Sequence, residues 1–258
     1  MTVAVHFELE GLETAPPVLL SNSLGTALNM WEEQLGKLSR HCRVIRYDQR
    51  GHGRSPAPPG PYSIDELGQD VLELLDRLEL ERVSFCGASM GGMTGMWLAI
   101  NAPQRIDRLA LCCTSAHIPP RERWTERAEL VRRKGMEAIV DASLERWFTP
   151  ALRDRRPERV QVLESTLRGL DPEGYAACCE ALAETDLRGR LDEIRSPTLV
   201  ITGEDDLSTP PGHGRQIAET VEGAECVMLS PARHLANVER DDEVNRALLT
   251  HLLSGPAE

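Results

Sequence analysis

The stretch Phe85–Met93, F-C-G-A-S-M-G-G-M, decides how this chain is read. It closes the apolar run R-V-S-F-C with Gly87, places one serine at position 89, turns again at Gly91, and continues into G-M-T-G-M-W-L-A-I-N, a segment of helical character. Ser89 therefore sits where a strand passes directly into a helix. A Cβ at position 87 or 91 would crowd the adjoining strand and helix, so the glycines have a steric role. A turn that tight lifts the serine hydroxyl clear of the sheet, which is what a nucleophile needs if a substrate is to reach it.

Working outward, short β-branched or apolar runs alternate with segments of helical period: P-V-L-L-S-N, R-V-I-R-Y-D, R-V-S-F-C-G, R-L-A-L-C-C, P-T-L-V-I-T-G and E-C-V-M-L. They read as strands of a mostly parallel central sheet flanked by helices. Residues 63–80 repeat apolar positions at three and four, and Ser63 with Glu66 has the spacing of a capping box, so this segment is expected as an amphipathic helix on the sheet. The alternation stops between about Ser115 and Ile194, where the segments look helical with no strand between them. The expected organisation is an α/β-hydrolase core from 1–114 and 195–258, with a helical cap inserted at 115–194. No internal repeat interrupts the chain, and only the last residues, S-G-P-A-E, read as a loose tail.

Composition narrows the function. With 258 residues and 41% apolar content the chain can bury one sizeable core. Its formal charge of -12 argues against binding a nucleic-acid backbone. No apolar run approaches a membrane span, and the N-terminus M-T-V-A-V-H-F-E-L-E lacks the basic head and apolar region of a targeting peptide. A cytoplasmic location is expected. Seven cysteines without metal-ligand spacing read as reduced thiols.

A serine alcohol needs a base and a group to orient that base, in this fold in the order serine, acid, histidine. His6, His41 and His52 precede Ser89, His117 lies where the cap begins, His213 is in a Gly-rich loop and His251 is near the end of the last helix. His234, in P-A-R-H-L-A-N-V-E after the run E-C-V-M-L, has the right place for the base. The acid should come from Glu204-Asp205-Asp206, which follows P-T-L-V-I-T-G; Asp206 is the choice, with Asp205 next. For a developing oxyanion, the elbow supplies the backbone N–H of Met90. The second donor is expected from S-N-S-L-G-T, at the N–H of Ser23, with Leu24 as the neighbouring option.

The motifs S-N-S-L-G-T, Y-D-Q-R-G-H-G-R-S, G-A-S-M-G-G-M, E-R-W-F-T-P, G-Y-A-A-C-C-E-A-L and H-L-A-N-V-E together resemble those of 3-oxoadipate enol-lactonases, over nearly the whole chain. The departures are Ala88, the acidic E-D-D run, Arg233 directly before His234, and an N-terminus expected to lack the first antiparallel strand. The resemblance implies hydrolysis of 3-oxoadipate enol-lactone in aromatic degradation through the β-ketoadipate pathway, with a small-molecule substrate and no metal or organic cofactor. Its acetate arm is negative and calls for a local cation. From Ile118 to Arg156 ten basic residues face seven acidic ones, against the sign of the whole chain. Arg127 is the candidate, three residues after Trp124, whose indole could wall the flat ring, as could Trp147. Y-D-Q-R-G-H-G-R-S, with Asp48, Arg50, His52 and Arg54, reads as a structural loop near the elbow. The alternatives are another carboxylesterase or lactonase, a haloperoxidase-like perhydrolase, and a non-catalytic ligand-binding member of the fold.

Overall fold

The computed structural model describes residues 1–254; of the expected tail, 255–258 lie outside the described residues. The strands are β1 (Phe7–Glu10), β2 (Pro17–Ser21), β3 (Arg43–Tyr47), β4 (Val83–Ala88), β5 (Ile106–Cys112), β6 (Thr198–Gly203) and β7 (Glu225–Leu229). They form one sheet in the order β1-β3-β2-β4-β5-β6-β7. The six runs read from the sequence are β2 to β7, all paired in parallel. β4 is buried at every position, as a central strand covered on both faces must be, and its composition is accordingly apolar without alternation.

The expectation of no antiparallel strand at the N-terminus is overturned. β1 pairs antiparallel with β3, Phe7 opposite Tyr47. Its four residues, F-E-L-E, are largely exposed at the sheet edge, and Glu8 reaches Arg46 across the pair at 3.1 Å. An edge strand of that length is held by its partner and by charge, not by an apolar pattern.

Around the sheet lie α1 (Glu32–Leu38), α2 (Ile64–Arg77) and α3 (Met90–Asn101). Ser63 caps α2 through its side chain while Glu66 answers to the Ser63 N–H, and the helix stops three residues short of the segment read as periodic. Between β5 and β6 the chain forms α4 (Arg121–Lys134), α5 (Val140–Trp147), α6 (Pro150–Arg155), α7 (Pro157–Arg168) and α8 (Pro172–Glu184), with no strand among the described residues there. After β6 come α9 (Pro211–Thr220), α10 (Ala236–Glu239) and α11 (Asp241–Leu253). Register places Ser21 beside Gly87 and Ala88 beside Cys112, so β2, β4 and β5 end level with one another. The loops that leave these ends carry Ser23, Ser89 and Thr114 to one edge of the sheet, where an open parallel sheet presents its ligand site.

Candidate active site

Ser89 occupies φ 53° and ψ -115°, a backbone conformation that costs a non-glycine residue on the order of 1–3 kcal/mol. The turn is held by three hydrogen bonds. Ser89 N–H donates to Cys112 O at 3.0 Å, and its carbonyl accepts from Thr114 Oγ1 at 2.6 Å and Met93 N–H at 3.0 Å. The glycines do what their positions suggested. A Cβ on Gly87 would lie 2.2 Å from Gly91 O, and one on Gly91 would lie 2.4 Å from Ser21 O, both backbone atoms that cannot yield.

His234 and Ser89 line the same narrow cavity. Nδ1 of His234 is 2.8 Å from Asp206 Oδ2. Asp206 also accepts from Ser208 N–H (2.7 Å), Thr209 N–H (3.0 Å) and Thr209 Oγ1 (2.8 Å). Burial pushes the Asp206 carboxyl up, but the adjacent imidazole and these donors outweigh it and leave the group below the usual carboxylate range. An ionised Asp206 fixes the proton of His234 on Nδ1, so Nε2 keeps its lone pair. No hydrogen bond joins the Ser89 hydroxyl to the imidazole among the described residues; such contacts commonly tighten only in the complex with substrate. Asp205 is exposed, and Glu204 is engaged by Ser230, so neither competes for the imidazole. Arg233 has a structural task. Its guanidinium donates to Phe148 O at 3.2 Å, and with His234 N–H on Arg146 O and Leu235 N–H on Trp147 O it ties the histidine loop to α5.

The donor loop differs from the expectation by one residue. Ser23 N–H points inward to Met30 Sδ at 3.2 Å and is taken. Gly25 N–H is bound by His52 and Thr26 N–H by Ser23 O. Leu24 N–H is the one amide from Ser23 to Thr26 with no hydrogen bond among the described residues, and Leu24 lines the cavity with Ser89. Met90 N–H, first in α3, has no partner there either. The open pair is therefore Met90 and Leu24, with Ser23 as an anchor of the loop.

Arg127 does face the cavity, with Trp124 and Trp147. Both indoles are also buried core, and Trp124 Nε1 donates to Ile118 O at 2.8 Å. Two further arginines stand beside Arg127: Arg123 and Arg146. Arg127 is largely committed, donating from Nε to Tyr175 Oη at 2.6 Å and from an amino group to Ser143 Oγ at 2.7 Å. Arg123 keeps a buried Nε without a partner. Burial and the neighbouring guanidinia of Arg146 and Arg127 push the Arg123 group down, and burial with Arg127 does the same to Arg146. None of the three pairs with a carboxylate among the described residues, whereas Arg132 on the same helix is held outside the cavity by Glu173 and Glu180. Like charges gathered in this way favour an anionic occupant. Arg123 was legible in principle, four residues before Arg127 on one face of α4; Tyr175 and Ser143 come from α8 and α5, and no local pattern points to them.

The α/β-hydrolase family model matches residues 16–241. The chain belongs to the α/β-hydrolase family. The hydrolase is 43% identical to 3-oxoadipate enol-lactonase 2 of Acinetobacter baylyi, over 95% of this chain and 92% of that one. It is 32% identical to a putative carbamate hydrolase RutD of Agrobacterium fabrum, over 96% and 98%. Its structure matches that of the enol-lactonase from Burkholderia xenovorans LB400 with a TM-score of 0.96 at 44% identity, covering 98% and 97% of the two chains.

In this hydrolase the Y-D-Q-R-G-H-G-R-S segment is buried from Tyr47 to His52 and exposed at Gly53 and Arg54. Asp48 accepts from Leu28 N–H at 2.8 Å and Arg54 N–H at 2.9 Å, and Arg50 forms a buried pair with Asp70 at 2.6 Å. Six of the seven cysteines are buried, Cys226 is exposed, and all are free thiols. None of the described helices is long and apolar enough to cross a membrane.

Proposed function

We propose that this hydrolase opens 3-oxoadipate enol-lactone to 3-oxoadipate through an acyl-enzyme on Ser89, as a step of aromatic degradation by the β-ketoadipate route. The observation that carries the reading is one cavity. It joins Ser89 and the Asp206-oriented His234 to three guanidinia that have no carboxylate of their own. A neutral ester would use only the first half of that arrangement; a lactone with an acetate arm uses both.

In this reading Ser89 Oγ attacks the ring carbonyl carbon while His234 Nε2 takes its proton. The oxygen that becomes negative is met by the Met90 and Leu24 amides, at the N-terminus of α3. The ring C–O bond then breaks. The departing enol oxygen receives the proton from the imidazolium, and the enol tautomerises to the ketone. Water, deprotonated by His234, attacks the Ser89 ester and releases the second carboxylate. Arg123 and Arg146 have the free donors for the acetate arm, and Arg127, clamped by Tyr175 and Ser143, completes the positive wall. Trp124 and Trp147 flank the ring. An enol is a stabilised leaving group, so deacylation is the more demanding half of the cycle.

The test is loss of the lactone's ultraviolet absorbance on adding purified protein, compared with hydrolysis of a small neutral aryl ester. The expected result is a kcat/KM for the lactone well above that for the ester. A preference for the neutral ester would replace the proposal with a general carboxylesterase.

A further inference from the structure

His52 lies in the G-H-G motif, is not among the residues lining the cavity with Ser89, His234 and the arginines, and has no part in the chemistry just described. It is buried, with 1% of its surface exposed. Its Nε2 accepts the Gly25 N–H at 3.0 Å, and its Nδ1 lies 3.3 Å from Arg50 O, which makes it the tautomer protonated on Nδ1. Gly25 has φ +86° and immediately follows Leu24.

We infer that His52 is a positioning residue for the oxyanion site: by fixing the Gly25 amide it holds the Leu24–Gly25 peptide and, with Thr26 on Ser23 O, sets the backbone conformation at Leu24 that turns the Leu24 N–H toward Ser89. The inference rests on the proposed acyl-transfer reading and adds to it the device that orients one donor. Three observations carry it. The amides on either side of Leu24 are both anchored, Ser23 to Met30 Sδ and Gly25 to His52, and the intervening one has no hydrogen bond among the described residues, in a loop whose Ser23 and Leu24 line the cavity with Ser89. The anchor is itself rigid. His52 is wedged between Arg50 O and α8, where Cys178 Sγ lies 3.8 Å from Nδ1 and the Tyr175 ring centroid 6.2 Å from its own. Gly25 also sits in a close-packed place, since a Cβ built on it would lie 3.0 Å from Leu167, 3.2 Å from Trp147 and 3.4 Å from Tyr175 side-chain atoms. The Ser23–Leu24 peptide, which carries the Leu24 N–H, is held at its carbonyl by Thr26 N–H and Thr26 Oγ1, and the acceptor at the ε position of His52 holds the next peptide, Leu24–Gly25. Burial keeps this imidazole neutral, with its pKa lowered to about 4, so the acceptor persists at neutral pH.

The chemistry of the side chain gives a controlled pair of variants. Gln places its amide oxygen where His carries Nε2, whereas Asn reaches only the Nδ1 position. His52→Gln should keep the Gly25 contact and His52→Asn should lose it. A misdirected oxyanion donor costs up to ~100-fold to 1000-fold when removed outright; a peptide merely freed to rotate should cost about 10-fold to 100-fold in kcat.

The experiment measures kcat and KM for a small neutral aryl ester, and Ki for a small boronic acid, whose adduct on Ser89 puts an oxygen in the donor site. The wild-type protein, His52→Gln, His52→Asn and Ser89→Ala are compared at pH 7.5, with circular dichroism and Tm to follow folding. The expected result is a fall of about 10-fold to 100-fold in kcat for His52→Asn with KM little changed, a parallel weakening of boronate binding, and recovery to within about threefold in His52→Gln. His52→Asn with wild-type kcat and boronate affinity would overturn the inference, as would equal losses in Asn and Gln variants that remain folded. If His52→Asn does not fold, His52→Gln decides alone: near wild-type kcat and boronate affinity support the inference, and a folded Gln variant with a 10-fold loss overturns it. Ser89→Ala separates the two levels. An inactive Ser89→Ala beside an unaffected His52→Asn removes only the role of His52, whereas an active Ser89→Ala removes the acyl-enzyme reading beneath it.

Discussion

Replacing Arg123 by methionine should injure the reaction selectively for a charged lactone. The side chain has a buried Nε without a partner, stands over the Trp124 ring at 5.2 Å, and shares the cavity with Ser89. Methionine keeps much of the aliphatic volume and deletes the cation. A charge-assisted hydrogen bond in such a site contributes about 1.5–3 kcal/mol, roughly a 10-fold to 150-fold effect on kcat/KM. Part of that is offset, because removing one of three like charges relieves the repulsion that already pushes the Arg123 and Arg146 groups down. The net expectation is a loss of about 10-fold to 50-fold for the enol-lactone and less than about threefold for a neutral aryl ester. Arg127→Met should lower stability as well, since it also abandons Tyr175 and Ser143. Arg132→Met, bound to Glu173 and Glu180 outside the cavity, is the control and should change neither substrate. Steady-state kinetics on both substrates for all three variants makes the comparison. Equal losses on lactone and ester in Arg123→Met, or a selective loss in Arg132→Met, would refute the assignment of the anion site.

Asp206→Asn should lower kcat by about 10³-fold to 10⁴-fold, because it upsets the tautomer of His234, and Asp205→Asn should leave kcat nearly unchanged; single-turnover kinetics on a neutral ester separates them. Gly91→Ala forces a Cβ to within 2.4 Å of the Ser21 carbonyl and should cost about 1–3 kcal/mol or more, read as a fall of several degrees in Tm. Stability should also fall with acid in a way that His52 explains. Its folded pKa is lowered to about 4, so between pH 6.5 and 4 the unfolded chain takes up a proton that the folded one refuses. That removes about 2 kcal/mol by pH 5 and levels off below pH 4, and urea unfolding of His52→Gln should show a correspondingly shallower fall.

Much of the fold could be read from the chain because each signal is local. The six parallel strands are apolar runs bounded by turn residues, the Ser63–Glu66 capping box is a spacing of three, and the elbow is contained within Gly87 to Gly91. The pairing of Asp206 with His234 followed from the order of loops along a parallel sheet. β1 escaped because an exposed edge strand of four residues with two glutamates carries almost no apolar signature. The difference between Ser23 and Leu24 escaped for another reason: which amide of the loop is left without a partner depends on contacts from Met30 and His52, five and twenty-seven residues beyond Gly25. The arginine trio likewise depends on tertiary structure, since α5 brings Arg146 beside Arg123 and Arg127 of α4, and only the i,i+4 pair within α4 has a sequence pattern.

In the proposed cycle Ser89 carries the acyl group of the opened lactone. Rapid mixing of the protein with 3-oxoadipate enol-lactone, acid quench and intact-mass measurement tests it directly, with peptide mapping to locate the adduct. The expected result is a transient mass increase equal to that of the lactone, located on Ser89, absent in a folded Ser89→Ala variant that has also lost turnover. Turnover of the lactone by folded Ser89→Ala, or an adduct on any other residue, would rule out the acyl-enzyme on Ser89.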